Sequence, residues 1–186
     1  MNLCAGGYPK VRCTIRPFTT DDLDEVLLIE AASFARPWVR EMFEAELDRG
    51  DISRCFIAGF IPRSINEDKG RSGVIPDSND KGEIAGYIMS WLVADELYIT
   101  NLAVSPARRK TGVADSLIEH ALQDAREHGA TWCQLEVRVS NIPARTLYEK
   151  HGFREIGVRK GYYQDGEDAA VMGMELVIRN PGEDHS

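Results

Sequence analysis

The stretch Leu102–Leu122, LAVSPARRKTGVADSLIEHAL, decides how the rest of the chain is read. It ends an apolar strand, passes three consecutive cations, Arg108, Arg109 and Lys110, meets Gly112, and continues as an amphipathic helix to His128. Val113, Leu117, Ile118, Ala121, Leu122 and Ala125 recur at the spacing of one helical face, and Gly129 stops the helix. A strand that feeds a helix through a short loop leaves the helix's first backbone N–H groups unbonded, at the positive end of its dipole. Gly112 and the small Ala114 let a ligand approach the main chain closely, and the arrangement suits an anion, phosphate above all. The plainer alternative is an ordinary strand-to-helix loop with solvated cations. The run fits neither G-x-x-x-x-G-K-[ST] nor G-x-G-x-x-G, which argues against a nucleoside triphosphate or a nicotinamide dinucleotide.

Working outward, "VRCTIR" (11–16) alternates as a strand, and Thr19 or Thr20 caps the acidic helix start "DDLDEVLLIE". Pro37 breaks the chain before a second helix, "WVREMFEAELDR", closed by Gly50. Strands are expected over 53–60, 83–94 and 96–104. Between the first two, 61–82 is rich in Pro, Gly, Ser, Asn and Asp and reads as a long exposed loop. After the Gly112 helix, "TWCQLEVRV" sets Cys133, Leu135, Val137 and Val139 on one face and Trp132, Gln134, Glu136 and Arg138 on the other. A short helix, "NIPARTLYEKHG", and two strands, 153–158 and 169–178, complete the order β-α-α-β-β-β-α-β-α-β-β. That is an α/β (α+β) single domain, 11–179, around a mixed, mostly antiparallel sheet flanked by helices, with tails 1–10 and 180–186.

Composition narrows the class. The 186 residues carry a formal net charge of −8, with 43% hydrophobic and 28% charged residues, as in a globular domain with its own core. An acidic balance argues against general nucleic-acid binding. No apolar run is long enough for a membrane span and no secretory h-region opens the chain, so a cytoplasmic protein is expected. Cys4, Cys13, Cys55 and Cys133 form no CxxC pair, and the last three read as reduced core thiols. His120, His128, His151 and His185 show no ligand spacing and read as helix-surface and tail residues, so no metal is expected.

"ARRKTGVADSLI" resembles the R-x-x-G-x-G/A signature of the GNAT superfamily of N-acetyltransferases, with Arg109, Gly112 and Ala114 in the signature positions. "NLAV", "LEVRVSNIPARTLYEKHGF" and the element order are similar to it too, over roughly 11–177. More narrowly, "IEAASFARPWVREMFEAEL", "LEVRVSN", "LYEKHGF" and "KGYYQDGEDAAVMGMEL" resemble the bacterial ribosomal-protein-alanine N-acetyltransferases. These act on the N-terminal amine of protein eighteen of the small ribosomal subunit. The resemblance implies acetyl-CoA as cosubstrate, its diphosphate held by the backbone N–H groups of Lys110, Thr111, Gly112, Val113, Ala114 and Asp115. The edge of Leu102, Ala103 and Val104 would pair with the pantetheine arm between splayed central strands, and Asn141 matches a cofactor-contacting position. Ala114 replaces the commoner glycine, and the insertion 61–82 is atypical.

The chemistry needs a group to take the amine's proton, a donor for the thioester oxygen and an acid for the departing thiolate. An α-amine, with an unperturbed pKa of about 7.7–8.0 against about 10.4 for lysine, is partly free base at neutral pH. A carboxylate, directly or through water, therefore suffices. Glu136, mid-strand in "LEVR", matches the family's base; the plainer reading is a surface Glu paired with Arg138 or a cross-strand partner. Tyr148 matches the acid; the plainer reading is a half-buried helix aromatic. An N–H near Val104 would polarise the thioester. By the same resemblance Trp38, Tyr162 and Tyr163 flank the acceptor, a ribosomal-protein N-terminal peptide, while Glu41, Glu44, Asp165 and Glu167 offer negative charge to an arginine-rich tail. The sequence also admits an acetyltransferase of broader N-terminal or small-amine specificity, or a non-enzymatic CoA-binding module. Oligomeric state is not legible.

Overall fold

The computed structural model describes residues 13–60 and 83–176. The expected loop 61–82, the tails 1–10 and 180–186, Cys4 and His185 lie outside the described residues. In chain order the elements are β1 (Cys13–Pro17), α1 (Leu23–Ser33), α2 (Arg40–Leu47), β2 (Ser53–Phe60), β3 (Glu83–Val93), β4 (Glu96–Val104), α3 (Val113–Glu127), β5 (Trp132–Arg138), α4 (Ile142–Lys150), β6 (Arg154–Arg159) and β7 (Ala169–Glu175). This is the order expected from the sequence. Among the described residues no helix is long and apolar enough to cross a membrane.

The strands form one seven-stranded sheet in the order β1-β2-β3-β4-β5-β7-β6. Neighbours run antiparallel except β4 and β5, which are parallel because α3 carries the chain back between them. The α3 face is buried as its periodicity requires: Val113, Leu117, Ile118, Ala121, Leu122 and Ala125 pack with Ile88, Leu97, Ile99, Leu135 and Val137 of the sheet. Tyr148 and Phe153 join this cluster. A second cluster on the opposite face joins Leu23, Val26 and Ile29 of α1 and Phe43 of α2 to Ile57, Tyr87, Met89 and Ala103.

Two details position the site. Gly86 of β3 lies so close to β4 that a Cβ there would stand 2.7 Å from the Ala103 carbonyl oxygen. Opposite Met89 and Ser90, Thr100 is an extra residue in β4, bonded through Oγ1 to the Met89 carbonyl. This bulge shifts the strand's phase. Leu97 and Ile99 face α3, but Ala103 is buried with α1, while Leu102 and Val104 pack on the α3 side.

Three expectations are corrected. The second helix begins at Arg40, not Trp38, because Val39, its N-cap, is still extended (φ −91°, ψ 164°). His151 is no surface residue: its side chain is 9% exposed, with Nε2 3.1 Å from Asp115 Oδ1. Cys13 is only half-buried, whereas Cys55 and Cys133 are buried thiols whose pKa values burial raises.

Candidate active site

The parallel seam is short. Its rungs run from Glu96–Trp132 to Ile99–Leu135 and then stop, although β4 continues to Val104 and β5 to Arg138. From Thr100 and Glu136 onward no rung joins the two strands among the described residues. The sheet is thus split at its centre, leaving a main-chain edge on each side. Leu102, Ala103 and Val104 form one of these edges, their side chains committed to packing.

Downstream of that edge the chain turns through a short 3-10 segment, Pro106–Arg108, into α3. Lys110 (φ 61°) and Gly112 (φ 88°) take left-handed conformations that swing the chain onto the helix axis. The first intrahelical bond is Ser116 N–H to the Gly112 carbonyl, and no side chain caps the helix. The N–H groups of Gly112, Val113, Ala114 and Asp115 therefore lie ahead of the bonded helix at its positive end. The basic run is less free than its sequence suggests. Arg108 Nη2 is 2.6 Å from Glu83 Oε2, and Arg109 reaches the Val104 carbonyl at 3.4 Å and Ser33 Oγ at 3.3 Å. Asp115 is tied to α4 through Lys150 Nζ at 2.5 Å as well as His151. Partial burial opposes its ionisation, but Lys150 and His151 outweigh that and hold its pKa below the usual carboxylate range.

Glu136 is the first β5 residue beyond the last rung. Strand alternation turns it away from the α3-side core that holds Leu135 and Val137, and its side chain is 20% exposed. Its Oε1 lies 3.2 Å from Arg159 Nη2 on β6. Of the partners open to it in the sequence, the structure selects the cross-strand one. Tyr148 lies on the other face, buried in the α3-side cluster with its ring edge-on to Phe153 at 5.7 Å between centroids. Burial, reinforced by Tyr163 and Cys133, raises its pKa, so it keeps its proton at neutral pH. The two candidate side chains thus lie on opposite faces of the sheet. Asn141 caps α4, its Oδ1 accepting the Ala144 N–H at 3.2 Å.

Around the split, Trp38 packs on Phe43 at 5.3 Å, and Tyr162 meets Tyr163 edge-on at 5.2 Å. Arg138 stacks 3.9 Å over Tyr163 and bonds both Glu167 (2.6 Å) and Asp165 (2.9 Å). Bonds from Ser140 and Arg138 hold the Glu167 carboxyl down to about 2. Asp165 and Glu167 are therefore already answered by an internal cation, which weakens their expected role as attractants; Glu44 sits 3.9 Å from Arg40, and Glu41 is exposed.

Glu30, Asn101 and Arg159 were not singled out in the sequence. Glu30 stands four residues after Val26 on α1, a spacing that places it on the buried face, and this was the one available signal. Among the described residues no group of three or more His, Cys, Asp or Glu side chains is placed to hold a metal ion.

The family model described as "Acetyltransferase (GNAT) family" matches residues 23–153. The ribosomal protein bS18-alanine N-acetyltransferase of Escherichia coli K12 is 30% identical over 168 residues, covering 89% of this chain and 99% of the relative. A Bacillus subtilis protein provisionally named for the same activity is 35% identical over 90% of this chain and 98% of its own length. The crystal structure of the E. coli ribosomal-protein-S18-alanine N-acetyltransferase superposes with a TM-score of 0.72, at 29% identity, over 94% of this chain and 99% of that one.

Proposed function

This chain belongs to the GNAT acetyltransferase family and is an N-acetyltransferase, and from that premise we propose that it moves the acetyl group of acetyl-CoA onto the α-amine of the N-terminal alanine of a ribosomal protein, protein eighteen of the small subunit. The observation that carries the reading is the split in the sheet, with Glu136 at its apex and the uncapped amides of Gly112–Asp115 beyond its other edge. The donor set suits the cosubstrate: unpaired strand edges match an amide-bearing arm, and helix-start N–H groups match a diphosphate. Similarity over nearly the full length of one relative named for bS18 acetylation and one provisionally so named supports the acceptor.

In this reading Glu136 takes the proton of the incoming amine, directly or through a water, as nitrogen attacks the thioester carbon. Arg159 at 3.2 Å orients that carboxylate. A backbone N–H near Val104 donates to the thioester oxygen as it gains charge. Tyr148, kept protonated by burial, gives its proton to the departing sulfur and recovers one from solvent.

The test is mass spectrometry of purified ribosomal proteins, and of alanine-first peptides beside lysine-containing peptides and polyamines, after incubation with enzyme and acetyl-CoA. Acetylation of the alanine α-amine alone is expected. Transfer only to lysine side chains or polyamines overturns the acceptor, and coenzyme A binding without transfer to any amine overturns the activity.

A further inference from the structure

The segment between α1 and α2, residues 34–39, is held at three points, counting Ser33 at the end of α1. At its start Ser33 meets Arg109 of the basic loop (3.3 Å), and midway Arg36 donates to Gln164 of the β6–β7 connection. Both contacts are exposed and open to exchange with water. The third rests on a buried carboxylate. Glu30 is 1% exposed, and its Oε1 accepts the Trp38 backbone N–H at 2.8 Å. Its other oxygen accepts the Tyr87 hydroxyl from β3 and the Asn101 side-chain amide (3.4 Å) from β4. Asn101 is the residue after the Thr100 bulge, on the edge that β5 leaves unpaired, and the bulge's phase shift turns it toward α1. One carboxylate thus joins the Trp38 segment to the strand that borders the split.

We infer that Glu30 is a positioning residue for the acceptor: its carboxylate fixes the height of the Trp38 segment over the open edge of β4, so that acceptor binding depends on it and acetyl-CoA binding does not. A buried carboxylate is costly unless every oxygen is bonded. An apolar residue at this position would fill the core at less cost, but it would offer the Trp38 N–H no partner. Glu30 is too enclosed, and its oxygens too committed, to take a proton from substrate. Its value is length and acceptor geometry rather than basicity. The inference rests on the proposed function and on the expectation that Trp38 flanks the acceptor.

Two variants separate length from charge. Glu30→Asp keeps the charge but withdraws the carboxylate by one methylene, out of reach of Trp38. Glu30→Gln keeps the length: its oxygen meets the Trp38 N–H, and its amide faces Tyr87 and Asn101, whose hydroxyl and amide can turn to accept. Steady-state kinetics with an alanine-first peptide should show Glu30→Asp raising the acceptor KM by about 10- to 100-fold, the range for losing a hydrogen bond to a charged group. The acetyl-CoA KM should stay near wild type, and Glu30→Gln should restore the acceptor KM. Hydrogen exchange across 34–40 should quicken in Glu30→Asp and not in Glu30→Gln. The opposite order, with Gln damaging and Asp benign, makes the charge the active feature and overturns the inference. So does an acceptor KM that follows the melting temperature in both variants, or unchanged exchange at Trp38. If the wild type transfers acetyl to no α-amine, the proposed function fails on that measurement, and the exchange arm still decides the anchor.

Discussion

On the α3 side of the sheet the buried side chains of the helix are all apolar, whereas the α1–α2 side buries three carboxylates, Asp22, Glu30 and Glu46. Each meets polar donors: Asp22 meets Arg16 at 2.6 Å and Thr19 at 2.9 Å, Glu30 meets Trp38, Tyr87 and Asn101, and Glu46 meets the Trp91 indole and Arg49 at 3.0 Å. Apolar contacts are strong in sum but indifferent to direction, while hydrogen bonds to a buried carboxylate hold their donors at set positions. Both faces bury an apolar core, but the α1–α2 face adds directional bonds that hold its connecting segments in place.

The comparison predicts which changes affect chemistry and which affect folding. Glu136→Gln keeps the size of the side chain at the apex and removes its basicity. Turnover should fall by about 10²–10⁴, the range for general-base catalysis, with coenzyme A affinity by calorimetry and the melting temperature near wild type. Leu117→Ala, fully buried on α3, should do the reverse. It should cost about 2–5 kcal/mol in denaturant unfolding, with kcat per folded molecule unchanged. The division between the faces breaks if Glu136→Gln loses as much stability as Leu117→Ala, or if Leu117→Ala loses as much turnover.

A smaller effect separates the faces by pH. Burial alone would raise the Asp22 pKa, but Arg16 and Thr19 outweigh it and hold the folded value below the ordinary one. A depressed carboxylate stabilises the fold fully above its unfolded pKa, about 3.9, and that stabilisation is lost as pH falls through the lower folded value. Asp22→Asn should therefore be less stable than wild type by about 1–3 kcal/mol near neutrality, with the gap closing below about pH 4. Urea unfolding across that range checks it; a gap independent of pH assigns the loss to shape rather than charge.

The α3 face was legible from sequence in detail, because a helix that buries one stripe writes its period into the spacing of its apolar residues. The six residues read as its apolar face are the six that are buried. β5 was legible for the same reason, with Cys133, Leu135 and Val137 buried and Glu136 turned away. The site's precise shape was not. Nothing in "ELYITNLAV" marks Thr100 as the bulge, since the slip is set by how β3 and β4 pair. Nothing local marks where β4 and β5 part. Glu30 looks like one more acid on an acidic helix until Trp38 and Tyr87 close over it, and the pair Glu136–Arg159 joins residues 23 positions apart, on strands that β7 separates. Periodicity reports burial, whereas these features are pairings across the sheet.

Gly112 is where the packing face meets the open end of the split, so its substitution tests the boundary between the two roles. Its φ of 88° is left-handed, and a Cβ there would meet nothing within 4 Å. Gly112→Ala therefore suffers backbone strain and no clash. If the chain keeps this conformation, the variant should lose about 1–2 kcal/mol of stability, the left-handed penalty for an L-residue. If it relaxes instead, φ turns negative, the N–H groups at the head of α3 swing away from the split, and the strain reappears as weaker coenzyme A binding. Calorimetry and unfolding on one preparation separate the outcomes. A loss of affinity with stability preserved places Gly112 with the ligand end; the reverse places it with the packing face.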